Sequence, residues 1–146
     1  MKLLIMRHGE ATPLVDIDAN RALTNRGHAE ARSAVESVVE RGERPHILFV
    51  SPYLRAQQTA AEVQCLVPEI ELVTIDCLIP EASPADLITF LEKSTETNII
   101  LVSHQPLVSL LIGYLTGQQI YMGTASVALI ESDIWAKQQG ELKWVI

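Results

Sequence analysis

Short apolar runs alternate along this chain with longer stretches of helical spacing, and that alternation narrows the fold more than any other feature. Residues 3–7, 47–50, 71–75 and 98–102 read as strands. Each is separated from the next by enough chain for a helix, the connection that parallel strands require. The expected class is therefore α/β with a mostly parallel sheet.

The intervening stretches carry helix signals. Thr24 reads as an N-cap, and Ala31, Ala34, Val35, Val38 and Val39 then recur as the stripe of an amphipathic helix ending near Gly42. Its other face carries His28, Arg32 and Glu36, so His28 reads as a solvated surface histidine. His46, just ahead of the second strand, reads as structural. A second helix follows "SPYLRAQQTAAEV". A third starts at "SPADLITFLEK", where Ser83 can cap, Pro84 suits the first helical position and Asp86 completes a capping-box pattern. The fourth, over residues 106–115, has no charge, stops at Gly117 and is expected to be buried. Residues 125–131 and 142–146 look like two further strands, and no repeat or low-complexity segment interrupts the pattern.

The bulk numbers bound the function. At 146 residues, 48% of them hydrophobic, residues 1–146 suit a single domain able to bury its own core. The net charge of -7, with no block of Lys and Arg, gives no electrostatic footprint for nucleic acid or an anionic membrane. The apolar runs at residues 3–6 and 107–115 are too short for a signal-peptide core or a membrane span, so a soluble cytoplasmic protein is expected. Cys65 and Cys77 form no Cys-x-x-Cys pair and read as two buried thiols in a reducing compartment. Any anion site must be built locally.

In an open parallel sheet, ligands bind just beyond the carboxyl ends of the strands. The unusual residues fall there: Arg7-His8-Gly9 ends the first strand, Ser51-Pro52 ends the second with Arg55 soon after, and Ser103-His104 ends the fourth. Taken singly, each has an ordinary reading as turn chemistry or a surface arginine. Together they deliver two histidines and two arginines to one sheet edge. Guanidinium groups stay charged and match phosphate oxygens with paired donors. Among them a neutral histidine can attack phosphorus, and a second can donate to the oxygens as charge redistributes. A metal site from the histidines with Glu10, Asp16 and Asp18 is the rival chemistry, but those carboxylates lack a recognisable ligand spacing and the arginines would repel the ion.

With these residues in hand, the chain resembles the histidine phosphatase superfamily, the phosphoglycerate mutase-like fold. "RHGE" resembles its signature and implies His8 as the phosphorylated residue with Arg7 as a phosphate ligand. "RALTNRG" is similar to Arg-x-Leu-Thr-x-x-Gly and implies a further pocket arginine at Arg21. "SPYLRAQQTA" implies Arg55 in the pocket, and "VSHQP" implies His104 as the second catalytic histidine. The resemblance implies a three-layer α/β/α sandwich whose six-stranded, mostly parallel sheet has one late antiparallel strand. Within the superfamily the likeness is to the minimal, SixA-type phosphohistidine phosphatases. Gln105 stands where larger members carry glycine, and Leu14 where mutases carry asparagine, which counts against a mutase or sugar-phosphate phosphatase.

Larger relatives supply a general acid from an insertion after the third strand. Here only "CLIPEASP" intervenes, with Glu81 its sole carboxylate and the candidate acid. Phosphorylated imidazole can leave as neutral imidazole and needs less help than an alkoxide, and a site without a lid suits a phosphoryl group on a protein surface. The expected function is a metal-independent, cofactor-free phosphohistidine phosphatase with a covalent phosphohistidine intermediate. By resemblance its partners are histidine phosphotransfer domains of phosphorelay sensor kinases, and the protein itself is expected to be a monomer. The alternatives are a small-molecule phosphomonoesterase and a non-catalytic phosphoprotein-binding module.

Overall fold

The structure, a computed structural model, describes residues 1–13 and 16–146, so Leu14 lies outside the described residues. In chain order the elements are β1 (Lys2–Arg7), α1 (Asn25–Glu40), β2 (Ile47–Val50), α2 (Leu54–Leu66), β3 (Glu71–Thr74), α3 (Pro84–Lys93), β4 (Asn98–Ser103), α4 (Leu107–Thr116), β5 (Val127–Glu131) and β6 (Glu141–Val145). Single 3-10 turns cover Asp18–Asn20 and Asp76–Leu78. The six strands form one sheet in the order β3-β2-β4-β1-β5-β6. Only β5 runs against its neighbours, β1 and β6.

The central strands are apolar on both faces because helices cover both. Leu4, Met6, Leu48, Val50, Ile100 and Val102 pack with α1 and α2, while Leu3, Ile5, Ile47, Phe49, Ile99 and Leu101 pack with α3 and α4. This is the three-layer arrangement. Truncating a core leucine such as Leu3 to alanine should cost about 2–5 kcal/mol. The helix signals act largely as read. Thr24 caps α1 through the Gly27 N–H, and α4 stops at Gly117, which takes a left-handed φ of 75°. Ser83 accepts from the Ala85 N–H rather than from that of Asp86, so the cap is made without the box.

Several local expectations are corrected. The fifth strand starts at Val127, because Ala125 sits at φ 57° and turns to donate its N–H to the His8 carbonyl. Helix α4 is not wholly buried, since Leu110 is 51% exposed. Cys65 is exposed and Cys77 half-buried. His28 is not simply solvated: its Nδ1 lies 3.1 Å from Glu62 on α2, whose other oxygen accepts from Arg32. Among the described residues, no helix is long and apolar enough to cross a membrane.

Candidate active site

Sheet register brings the strand tips level. Arg7 pairs with Ser103 across the parallel β1–β4 ladder, the His8 N–H donates to the Ser103 carbonyl at 3.0 Å, and the Ser51 N–H donates to Val102 at 3.1 Å. His8, Ser51 and His104 therefore stand at one height, and the two imidazole centroids are 5.1 Å apart. The positive ends of α2 and α4 follow directly from the tips of β2 and β4.

Two glycines fix the loop that carries His8. A Cβ on Gly9 would collide with the Gly27 carbonyl, and one on Gly27 would collide with the Glu10 carbonyl, so the loop and the start of α1 touch backbone to backbone. From the other side, the Gly9 N–H donates to Thr59 Oγ1 at 3.1 Å, and Thr59 donates to the Arg55 carbonyl at 2.8 Å. The loop is held between two helices.

His8 itself is 7% exposed. Its Nδ1 lies 2.6 Å from the Gly9 carbonyl, an acceptor only, so the proton sits on Nδ1 and the lone pair on Nε2. Arg55 Nε donates to that Nε2 at 3.2 Å. Burial lowers the pKa to about 4, with Arg55, Arg7 and Arg21 adding to the effect and the Gly9 bond opposing it. His8 is thus neutral at physiological pH, with one nitrogen tethered and the other directed to Arg55.

His104, 1% exposed, is tethered the opposite way. Its Nε2 lies 2.7 Å from Ser51 Oγ, which also accepts the Tyr53 N–H at 3.3 Å. The Ser51 hydroxyl proton has no other acceptor among these bonds, so it donates to Nε2 and leaves the ring proton on Nδ1. That Nδ1 is buried without a partner among the described residues, as is Arg7 Nε. Burial and the neighbouring His8 and Arg55 depress the His104 pKa strongly. Unpaired buried donors are costly unless a ligand accepts from them. One of the two belongs to the imidazole whose centroid lies 5.1 Å from that of His8, and the other to the residue that precedes His8.

The three arginines are each anchored from behind. Arg7 Nη1 donates to the Met122 carbonyl at 3.0 Å and to Tyr121 Oη at 3.3 Å. Arg21 donates to the Thr12 carbonyl at 2.7 Å and to Asp18 Oδ1 at 3.0 Å. Arg55 is buried and donates to the Asp18 carbonyl at 2.8 Å and to Asp18 Oδ2 at 3.1 Å. Asp18 thus clamps Arg21 to Arg55; burial opposes its charge, but the two guanidinium bonds outweigh it and hold the carboxyl below its ordinary range.

Glu81 lies outside this cluster. It is exposed on the rim and accepts from Tyr53 Oη at 3.4 Å, while the Tyr53 ring packs edge-on to His104 and under Arg55. Ser103, whose hydroxyl donates to the Leu78 carbonyl, is tied into the core. In sequence Asp18 enters only as part of a metal set and Ser51 only as the end of the second strand, and nothing singles out Tyr53, Thr59 or Tyr121. Ser51 and Thr59 sit within the quoted arginine block, so spacing from the second strand could have found them. Tyr121 comes from a loop far along the chain with no local signal. The described residues contain no group of three His, Cys, Asp or Glu placed to hold a metal ion.

The chain is similar to known proteins in both sequence and fold. Residues 3–79 match the model of the histidine phosphatase superfamily (branch 1). The phosphohistidine phosphatase SixA of Escherichia coli K12 is 34% identical over 90% of this chain and 88% of its own. A SixA homolog from Haemophilus influenzae is 30% identical over 82% of this chain and 79% of its own. A solved structure of the protein histidine phosphatase SixA with tungstate superposes with a TM-score of 0.89 at 26% identity, covering 100% of this chain and 96% of that one.

Proposed function

The chain belongs to the histidine phosphatase superfamily, and from that premise we propose that it is a phosphohistidine phosphatase working through a phosphorylated His8. One observation carries the reading. A neutral imidazole presents its Nε2 lone pair to the Arg55 guanidinium, while the buried donors Arg7 Nε and His104 Nδ1 have no acceptor among the described residues. A phosphoryl group supplies the acceptors that those donors lack.

In the first step the phosphoryl oxygens take the donors of Arg7, Arg21, Arg55 and His104. Arg55 Nε exchanges its bond to His8 for one to an oxygen, which frees the Nε2 lone pair. The bond from Nε2 to phosphorus forms as the bond from phosphorus to the substrate imidazole breaks, and that imidazole leaves neutral if its other nitrogen carries a proton. Phosphorylated His8 keeps its Nδ1 proton against the Gly9 carbonyl. Its ring is therefore an imidazolium beneath an anionic phosphoryl group, itself primed to leave as neutral imidazole. Water then attacks phosphorus, the Nε2 bond breaks, the water proton passes to solvent, and His8 returns to its neutral tautomer.

Glu81 has a secondary place in this scheme. It accepts from Tyr53 on the rim, and only in its protonated form would it serve a leaving group that needs an acid, which phosphohistidine does not. Only residues 75–83 separate β3 from α3, and among the described residues no lid encloses a small substrate. That openness supports a protein-borne phosphohistidine, as on a histidine phosphotransfer domain, over a small phosphomonoester.

The test is to incubate the protein, with and without chelator, with a radiolabelled phosphotransfer domain and with a panel of small phosphate esters. Turnover of the phosphodomain that survives chelation is expected. Preference for the esters would move the assignment to a small-molecule phosphatase. Phosphate binding without turnover of any substrate would make the chain a binding module.

A further inference from the structure

We propose that the open groove along α4 is the docking site for a helix of the phosphohistidine-bearing protein, one that places aliphatic or aromatic side chains beside its phosphohistidine. This rests on the substrate class proposed above and deepens it. The groove, of about 830 Å³, runs between α4 and the loop leading to β5, with Leu110, Tyr114, Ile120 and Tyr121 among its walls and no charged side chain in its lining. Leu110 at 51% and Tyr121 at 78% are among the most exposed large apolar side chains of the molecule. A phosphoryl group needs only the arginines and His104. The groove has room for several further side chains.

Its position ties it to the reaction. Gln105, the residue after His104, stands in the groove wall, and its amide shares the Met122 carbonyl with Arg7 Nη1. Tyr121 closes the near end with its hydroxyl accepting from Arg7. The groove is thus continuous with the phosphate pocket, and a protein that brings a phosphohistidine to His8 must cover the ground beside it.

Charge points to the same occupant. The chain carries a net charge of -7, and on the β3 side of the pocket the exposed carboxylate of Glu81, held by Tyr53, would repel a dianion. On the β5 side the uncharged groove imposes no such penalty and offers apolar area instead. A helix carrying phosphohistidine has neighbours three and four residues away on the same face, within reach of this groove. The complementary partner face is apolar toward α4 and basic toward Glu81.

The experiment compares the wild-type protein with Leu110→Glu and Leu110→Met on two substrates, a radiolabelled phosphotransfer domain and free phosphohistidine. Leu110 is solvent-exposed, so neither change should disturb folding, and circular dichroism would verify that. Leu110→Glu should lower kcat/KM on the phosphodomain by more than about tenfold while leaving free phosphohistidine unchanged, with Leu110→Met close to wild type. Equal losses on both substrates, or none on the phosphodomain, would overturn the docking site while leaving the activity standing. Turnover of free phosphohistidine alone would also overturn it. If wild-type protein hydrolysed neither substrate, the reading of function would fail and the docking site with it. Sedimentation showing a wild-type dimer that Leu110→Glu dissociates would assign the groove to a second copy of the chain instead.

Discussion

The tips of β1 and β4 carry the same side chain in the same register, yet the two histidines are prepared for different work. At β1 the Gly9 carbonyl holds the Nδ1 proton of His8 and sends the Nε2 lone pair outward. At β4 the Ser51 hydroxyl occupies Nε2 of His104 and leaves an N–H on Nδ1. One imidazole is an electron-pair donor and the other a hydrogen-bond donor, although both are buried and both resist protonation. Role follows from which ring nitrogen the backbone or a neighbour claims, a difference that residue identity does not reveal.

That contrast can be broken by substitution. His8→Ala removes the nucleophile and should lower kcat on a phosphohistidine substrate by about ten-thousand-fold or more, measured by phosphate release. His104→Ala removes one donor to the oxygens and should cost about a hundred- to a thousand-fold. Equal losses would mean that the two tips are not divided as described. Ser51→Ala frees His104 Nε2, allows the wrong tautomer and should cost about tenfold, accompanied by a changed nitrogen chemical shift at His104 that a packing defect alone would not produce.

Smaller effects sharpen the comparison. Gly27→Ala pushes α1 against the Glu10 carbonyl and should destabilise the fold by about 1–3 kcal/mol in denaturant melts, with activity falling as the His8 loop shifts. Titration by NMR should show His8 neutral until pH approaches about 4. The unfolded chain takes up this proton near 6.5, so between those values it binds more protons than the native state and stability should decline as pH falls from 6.5 toward 4. Last in size, Glu81→Gln should leave phosphohistidine turnover nearly unchanged and lower only the residual rate on alkyl phosphate esters.

Much of this was legible in the sequence for a physical reason. Period and punctuation are local properties, so the strands, the Thr24 cap and the Gly117 stop could be read from neighbouring residues, as could the placing of His8, Arg55 and His104 beyond strand tips. The missing parts depend on long-range closure. Tyr121 meets Arg7 only after β5 pairs with β1, and Ala125 turns under His8 through a bond that no local pattern encodes. In sequence Asp18 reads only as one carboxylate of a metal set without ligand spacing, because only the packing of α2 brings Arg55 to it. Helix α4 illustrates the opposite error. Its lack of charge implied burial, but an uncharged face can instead remain open beside a site.

The division of labour between the two tips is tested most directly by rapid-quench analysis of a single turnover with a radiolabelled phosphohistidine substrate. Label should pass transiently onto the protein in an acid-labile, alkali-stable form, map to the peptide containing His8 as the Nε2-phosphorylated isomer, and accumulate longer in His104→Ala. Complete hydrolysis with no labelled protein at any time, or label on the peptide containing His104, would contradict it.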